Sequence, residues 1–151
     1  LKLTKKSDFM QSFNLNLVSA TEVIRSLADN LQKNKGSIVL FSTVAVKQGF
    51  PNHAIVSSAK GAIEGLTLAL AAEFAPNVRV NCIAPSLSKS KMSSKMLKNP
   101  KILEAIAKQH PMKRLGEGLD SAALANFLLS DESSWITGQI IGVDGGRSNI
   151  G

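Results

Sequence analysis

Apolar and polar residues repeat along the chain with two different periods, and these periods predict helices and strands. Over residues 17–31, apolar residues recur every three or four positions, as on the buried face of an amphipathic helix. Residues 37–42 form a short, continuously apolar run, typical of a strand covered on both faces. After a loop at 43–51, a second helical period covers 52–74 and another apolar run covers 78–84. Strand, helix and strand in this order predict a βαβ unit with parallel strands.

The second half of the chain predicts two further helices and one further strand. Residues 85–97 are polar and rich in lysine, with no clear period. Helical patterns follow at 100–109 and at 120–129, the latter with Asp120 as its N-cap, and residues 138–143 predict a last strand. The elements together predict a single α/β domain. Because three strands alone would leave an apolar edge open, we expect further strands from an earlier stretch of the polypeptide.

Composition and charge narrow the function classes. The 151 residues are 44% hydrophobic and 19% charged, which is ordinary for one globular domain. The net charge of +7 raises the question of nucleic-acid binding, but the basic residues are scattered and lack interleaved aromatic side chains for base stacking. No apolar run reaches the roughly 20 residues of a membrane span. Cys82 is the only cysteine, so we expect no disulfide and no metal site, in keeping with a cytoplasmic protein.

Six short segments, taken in order, carry a resemblance to a known family. They lie at 16–17, 36–43, 57–66, 78–85, 135–139 and 143–146. In order and spacing they resemble the short-chain dehydrogenase/reductases, and the resemblance covers almost the whole chain. It implies a Rossmann-like, doubly wound parallel sheet with helices on both faces. It also implies that residues 1–151 are the C-terminal part of one dinucleotide-binding domain, whose N-terminal half, with the glycine-rich phosphate loop, is missing from this chain.

The resemblance further implies a reaction and its catalytic residues. Members of this family use NAD or NADP to move a hydride between the nicotinamide and a carbonyl or alcohol substrate. Their catalytic asparagine, serine and lysine correspond here to Asn16, Thr43 and Lys60. In the family, the asparagine holds a helix bend, the hydroxyl bonds the substrate oxygen, and the lysine bonds the nicotinamide ribose and assists a tyrosine four residues earlier. Val56 stands at that tyrosine position, thirteen residues after Thr43 as the family's spacing requires.

Valine has no proton to give, so the usual acid–base step needs another group or is lost. His53 lies about one helical turn before Val56, and an imidazole exchanges protons near neutral pH. The same histidine can equally be a polar residue at the start of the helix. Ser57 and Ser58 point in other directions on the helix, and we expect them to serve packing or capping.

The segment after the second strand is expected to contact the nicotinamide, because it follows the carboxyl end of a parallel strand. The resemblance assigns cofactor binding to Lys60, Pro85, Ser86, Leu87, Ser88 and Ser90. Ser86 and Ser90 replace the glycine and the threonine that the family usually has there. The remaining residues to 97 are expected to form either a lid over the substrate or an ordinary surface loop.

Three hypotheses about function remain open at this point. The first is an NAD(P)-dependent oxidoreductase that acts on a small carbonyl or alcohol, with an altered proton donor. The second is a catalytically impaired dinucleotide-binding protein. The third is an oligomeric scaffold, since the family forms homodimers and homotetramers through the helices that correspond to 17–31 and 52–74. The third hypothesis is compatible with either of the others.

Overall fold

A parallel sheet forms the centre of the computed structural model, which describes residues 1–150 and, at 95 and 96, the backbone alone. Within these residues the sheet has three strands in the order β1–β2–β3, with β1 at Ser37–Phe41, β2 at Arg79–Pro85 and β3 at Ile140–Val143. Ile38 pairs with Val80, and Cys82 pairs with Ile140. The parallel order confirms the βαβ prediction. The three predicted strands are present, with ends shifted by up to two residues, as is common at element boundaries.

The first helical segment is longer than predicted. Helix α1 covers Lys6–Phe13, a π-helical turn covers Asn14–Val18, and α2 covers Ser19–Lys33 without a break in the helical backbone. The prediction that the helix begins near residue 17 is therefore wrong. The earlier start has a local cause, because the Asp8 carboxylate accepts a hydrogen bond from the Lys5 N–H at 2.7 Å and so satisfies a donor at the helix end.

Helix α4, at Ala54–Phe74, covers one face of the sheet. Its buried residues are Ala59, Ile63, Thr67, Ala71 and Phe74. Ala71 and Phe74 pack in one cluster with Ile38 of β1, Val80 of β2 and Ile24 of α2, and this cluster is the main apolar core. By length and mean composition alone α4 would pass as a membrane span, but it is not a continuous apolar run, since Lys60 and Glu64 interrupt it. In the structure it packs on the strands.

Helix α7, at Gly118–Leu129, covers the opposite face. Successive strand residues point to opposite sides of a sheet, and Ser37 and Arg79 both reach the α7 residue Leu128, whereas Ile38 and Val80 face α4. The predicted layers are therefore present. The predicted N-cap at Asp120 is wrong, because Glu117 occupies that position and the Asp120 carboxylate accepts from the Glu117 N–H at 2.8 Å.

Short helices replace parts of two predicted loops. Helix α3, at Ala45–Gln48, lies within the predicted loop 43–51, and α5, at Ser94–Leu97, ends the polar segment after β2. Both have four residues, which is too short for a hydrophobic period to show in the sequence. Helix α3 is held by tertiary contact, since Ala45 is buried and its carbonyl accepts a hydrogen bond from the Ser57 hydroxyl at 3.0 Å. Helix α6, at Pro100–Lys108, agrees with the prediction to within one residue.

Candidate active site

A cavity of about 790 Å³ opens beyond the carboxyl ends of β1 and β2. Its walls come from the β1–α4 connection, the segment after β2, helix α6, the start of α7 and the turn after β3. Six of the predicted site residues line it: Thr43, Pro85, Ser86, Leu87, Ser88 and Ser90. Parallel strands bring these residues together because the carboxyl ends of neighbouring strands share one edge of the sheet.

Thr43 presents the hydroxyl of the β1 end to this cavity. Its Oγ1 accepts a hydrogen bond from the Ala45 N–H at 3.3 Å, which leaves the hydroxyl proton for another acceptor. The neighbouring Ser42 is buried and turned the other way, with its hydroxyl donating to the Glu64 carboxylate at 2.5 Å. Of the two adjacent hydroxyl residues, Thr43 is therefore the one that lines the cavity.

Lys60 and Val56 lie one turn apart on α4 and do not line the cavity. The Lys60 ammonium donates a hydrogen bond to the Phe41 carbonyl at 2.9 Å, at the carboxyl end of β1. Burial lowers the pKa of Lys60, because the surrounding protein disfavours the charged form. Val56 is 38% exposed and brings no polar atom to the site.

Asn16 lies in the π-helical turn, which packs against α4. Its side-chain amide donates to the Ser12 carbonyl at 2.9 Å. A π-helical turn leaves backbone carbonyls without their usual i+4 partners, and a side-chain amide can bond one of them. Asn16 is thus at a helix irregularity, beside the helix that carries Lys60, and outside the cavity lining.

The segment after β2 is held in place by its serines. The buried Ser93 hydroxyl donates to the Ser88 carbonyl at 2.8 Å and accepts a hydrogen bond from the Ser90 N–H at 2.9 Å. Gly116 binds the same segment from the side, donating its N–H to the Leu87 carbonyl at 3.2 Å and accepting from the Lys89 N–H at 2.9 Å. These bonds fix the wall of the cavity over the first part of the segment that was predicted to be a lid or a loop.

His53 lines the cavity at the start of α4. Its Nδ1 lies 2.8 Å from the Pro51 carbonyl, and its ring meets the Phe50 ring edge to face, with centroids 5.5 Å apart. A carbonyl can only accept, so Nδ1 carries a proton and Nε2 is the ring nitrogen left for another partner. The other predicted hydroxyls are engaged elsewhere, Ser57 with Ala45 and Ser58 with the Ala54 carbonyl at 2.6 Å.

Two residues that the sequence did not single out, His110 and Arg147, contact the Ser86 hydroxyl, and of the two only Arg147 lines the cavity. His110 is 1% exposed, with Nδ1 at 2.9 Å from the Ile106 carbonyl and Nε2 at 2.9 Å from the Ser86 hydroxyl. Arg147 lies 3.5 Å from the same hydroxyl and follows β3 in the last turn. Their separation from Ser86, by 24 and 61 residues, gives no local signal in the sequence. Among the described residues, no group of three or more His, Cys, Asp or Glu side chains is placed to hold a metal ion.

Comparison with known proteins places this geometry in a family. The family model described as "Enoyl-(Acyl carrier protein) reductase" matches residues 1–148. The chain is 35% identical over 143 residues to tropinone reductase-like 3 of Erythroxylum coca, covering 95% of this chain and 55% of that protein. It is 33% identical over 138 residues to human dehydrogenase/reductase SDR family member 4, covering 90% and 50%. The chain belongs to the short-chain dehydrogenase/reductase family.

Solved structures of family members agree. ElxO with NADP bound superimposes with a TM-score of 0.90 at 32% identity, covering 97% of this chain and 60% of ElxO. The Cj0485 dehydrogenase gives a TM-score of 0.95 at 31% identity, covering 100% and 60%. The predicted Rossmann-like fold is confirmed. The chain spans about half the length of the curated relatives it matches.

Proposed function

We propose that the protein to which this chain belongs is an NAD(P)-dependent oxidoreductase that reduces a small carbonyl compound or oxidises the corresponding alcohol. The observation that carries this proposal is the cavity at the carboxyl ends of β1 and β2, with Thr43 on one wall and the segment from Pro85 to Ser90 on the other. Residues 1–151 would form the C-terminal part of its single dinucleotide-binding domain.

The described residues fit a nicotinamide dinucleotide at two points. Lys60 provides a half-buried ammonium group at the end of β1, able to exchange its bond with Phe41 for a ribose hydroxyl. The backbone of Leu87 lies at the cavity wall. Its carbonyl accepts a hydrogen bond from the Gly116 N–H, so the Leu87 N–H is the group available to bond the carboxamide of the nicotinamide. When bound, the cofactor would donate or accept the hydride. A relative supports this reading, since ElxO has been solved with NADP and a tyrosine-to-phenylalanine variant of ElxO with NADPH.

Thr43 and His53 are the proposed polar groups for the reacting oxygen. Thr43 can donate its hydroxyl proton to a substrate carbonyl and polarise it. In the protonated state, His53 can give the Nε2 proton to the developing alkoxide and return to the neutral form with Nδ1 still bonded to Pro51. Val56 takes no part. We therefore propose slower turnover than a tyrosine would support, with Asn16 positioning α4 through the π-helical turn.

Exposed apolar residues support a proposed homodimer or homotetramer. Leu15 is 73% exposed in the π-helical turn, and Leu68 is 51% exposed on α4. These two elements pack against each other, so both side chains belong to neighbouring outer surfaces. We propose a cytoplasmic location as the default, although one matching relative from Arabidopsis thaliana is described as chloroplastic.

Titration of the full-length protein with NADPH and NADH tests the proposal. We expect saturable binding by calorimetry, weakened by Lys60→Ala and unchanged by Lys33→Ala, which removes an exposed lysine from α2. A screen of aldehydes and ketones then follows oxidation of the reduced cofactor. Absence of binding by the folded full-length protein would contradict the oxidoreductase proposal.

A further inference from the structure

The cavity contains one arginine, Arg147, and no carboxylate among its described lining residues. Its lining is mainly apolar or neutral, with Phe41, Phe50, Met92 and Ile106 among the larger side chains. None of the salt bridges found within residues 1–150 involves Arg147. An arginine stays charged at every physiological pH, so this wall of the cavity carries a positive charge that the described residues leave without an anion.

Neutral groups hold the Arg147 side chain in place. One Nη donates to the Gln109 amide oxygen at 2.6 Å, and the other lies 3.5 Å from the Ser86 hydroxyl. The guanidinium carbon lies 4.6 Å from the centroid of the Phe50 ring, within the range of a cation–π contact. These contacts engage two of the five N–H donors of the guanidinium, so the others remain for a ligand.

Asp144, the acidic residue nearest to Arg147 in sequence, forms its hydrogen bonds within its own turn. The Asp144 carboxylate accepts hydrogen bonds from the Gly146 N–H and the Ser148 N–H, both at 2.9 Å, and from the Ser148 hydroxyl. Burial alone would raise its pKa, but these hydrogen bonds outweigh that effect and lower it, which keeps the carboxylate charged within its own turn. Asp144 therefore shapes the turn that presents Arg147 and does not neutralise it.

We propose that Arg147 determines substrate specificity by binding a carboxylate group of the substrate, distinct from the carbonyl or alcohol that reacts. This inference rests on the proposed function and names its substrate class. Phe50 contacts both Arg147 and His53, so the anion-binding group and the proposed proton donor line neighbouring parts of the same cavity. A single arginine in a mostly apolar cavity matches the single charge of a carboxylate better than the double charge of a phosphate ester.

A binding experiment that needs no turnover tests this inference. Binding of benzoate, its neutral isostere benzamide and phenyl phosphate to the full-length protein is measured by calorimetry, with and without NADPH. We expect benzoate to bind about tenfold more tightly than benzamide, the size of one charge-assisted hydrogen bond. Arg147→Gln should remove this preference and leave benzamide binding unchanged. Arg147→Lys should retain part of it, and Arg25→Gln, an exposed arginine on α2, should retain all of it.

A second measurement uses the wild-type protein alone. Phenylglyoxal modifies accessible arginines, and we expect benzoate, but not benzamide, to protect Arg147 when the modified peptides are counted by mass spectrometry. Equal binding of benzoate and benzamide, a preference that survives Arg147→Gln, or equal protection by both compounds would overturn the inference. Tighter binding of phenyl phosphate than of benzoate would also overturn it. If benzoate is preferred through Arg147 but no dinucleotide binds, Arg147 is a carboxylate-binding residue and it is the oxidoreductase proposal that fails.

Discussion

The Lys60 ammonium donates a 2.9 Å hydrogen bond to the backbone carbonyl of Phe41, the last residue of β1. This bond connects α4, the helix that carries Lys60, with β1, the strand that ends two residues before Thr43. The position of the charge is therefore fixed by backbone, independently of the side chain at position 56. Val56 takes no part in this contact, so the bond that holds Lys60 does not require a tyrosine at position 56.

Restoring a hydroxyl at position 56 should raise reductase activity. The Val56→Tyr variant places a titratable group one helical turn from Lys60, whose positive charge favours the tyrosinate form. A positioned general acid contributes about 10²- to 10⁴-fold to a rate, and we expect a gain in kcat within that range. Steady-state oxidation of NADPH with a panel of aldehydes measures it.

Val56→Phe is the matched control, because it adds the ring without the hydroxyl. Equal activity of the tyrosine and phenylalanine variants would show that the gain came from packing. No gain with tyrosine would show that Thr43 and Lys60 are not aligned with a bound substrate.

Removing the imidazole of His53 should lower the residual activity of the wild-type protein. His53→Gln keeps a polar side chain at the start of α4 but cannot transfer a proton. We expect kcat to fall about tenfold or more, with little change in the affinity for NADPH. An unchanged kcat in His53→Gln would assign the proton to water.

Cys82 should be inert in the folded protein. The side chain is fully buried between β2 and α4, and burial raises the pKa of its thiol to about 11. The thiolate, which is the reactive form, is therefore scarce at pH 8. We expect no alkylation by iodoacetamide in native buffer and complete alkylation in denaturant, followed by mass spectrometry. Fast labelling of the native protein would contradict the packing of α4 on β2.

The sheet and the cavity residues at the ends of β1 and β2 could be predicted from the sequence, because both depend on local patterns. The apolar runs at β1 and β2 define parallel strands, and the ends of such strands lie together, so Thr43 and Ser86 were expected near one site. The contribution of His110 and Arg147 depends on side chains that meet across 24 and 61 residues. The spacing of apolar and polar residues does not indicate such contacts, and a single sequence contains no signal for them.

Errors at element boundaries had a similar origin. The start of α1 depends on one carboxylate, Asp8, bonding the Lys5 N–H, and the cap of α7 depends on Glu117 with Asp120 inside the helix. At each helix start, several neighbouring polar residues have similar preferences for the N-cap position. Hydrophobic patterns do not distinguish between them.

The lowered pKa of Lys60 should make its contribution to stability depend on pH. In the unfolded chain this lysine titrates near its ordinary pKa of 10.5, and in the folded protein it titrates below that value. Between the two values the unfolded state binds more protons, so folding becomes more favourable as pH rises through this window. Lys60→Met removes the titrating ammonium group and with it this dependence on pH. The difference in unfolding free energy between wild type and Lys60→Met, from urea titrations, should shift in favour of wild type as the pH rises toward 10.5.

Arg79 should be among the most sensitive structural positions. Its guanidinium donates to the Leu128 carbonyl at 2.8 Å, the Ser133 hydroxyl at 2.6 Å and the Ser130 carbonyl at 2.9 Å, and it thereby satisfies carbonyls at the C-terminal end of α7. Without it these part-buried carbonyls lose a cationic partner that also complements the helix dipole. We expect Arg79→Ala to lower the unfolding free energy by about 2–4 kcal/mol, measured by urea denaturation.

Arg79→Lys separates the effect of charge from that of geometry. A lysine keeps the positive charge near the end of α7 but cannot direct two nitrogens at once toward Leu128 and Ser130, as the planar guanidinium does. We therefore expect it to recover less than half of the loss. Full recovery by lysine would mean that the helix dipole dominates, and no loss in Arg79→Ala would mean that water replaces the guanidinium at these carbonyls. In the second case α7 would be held on the sheet by its apolar contacts rather than by Arg79.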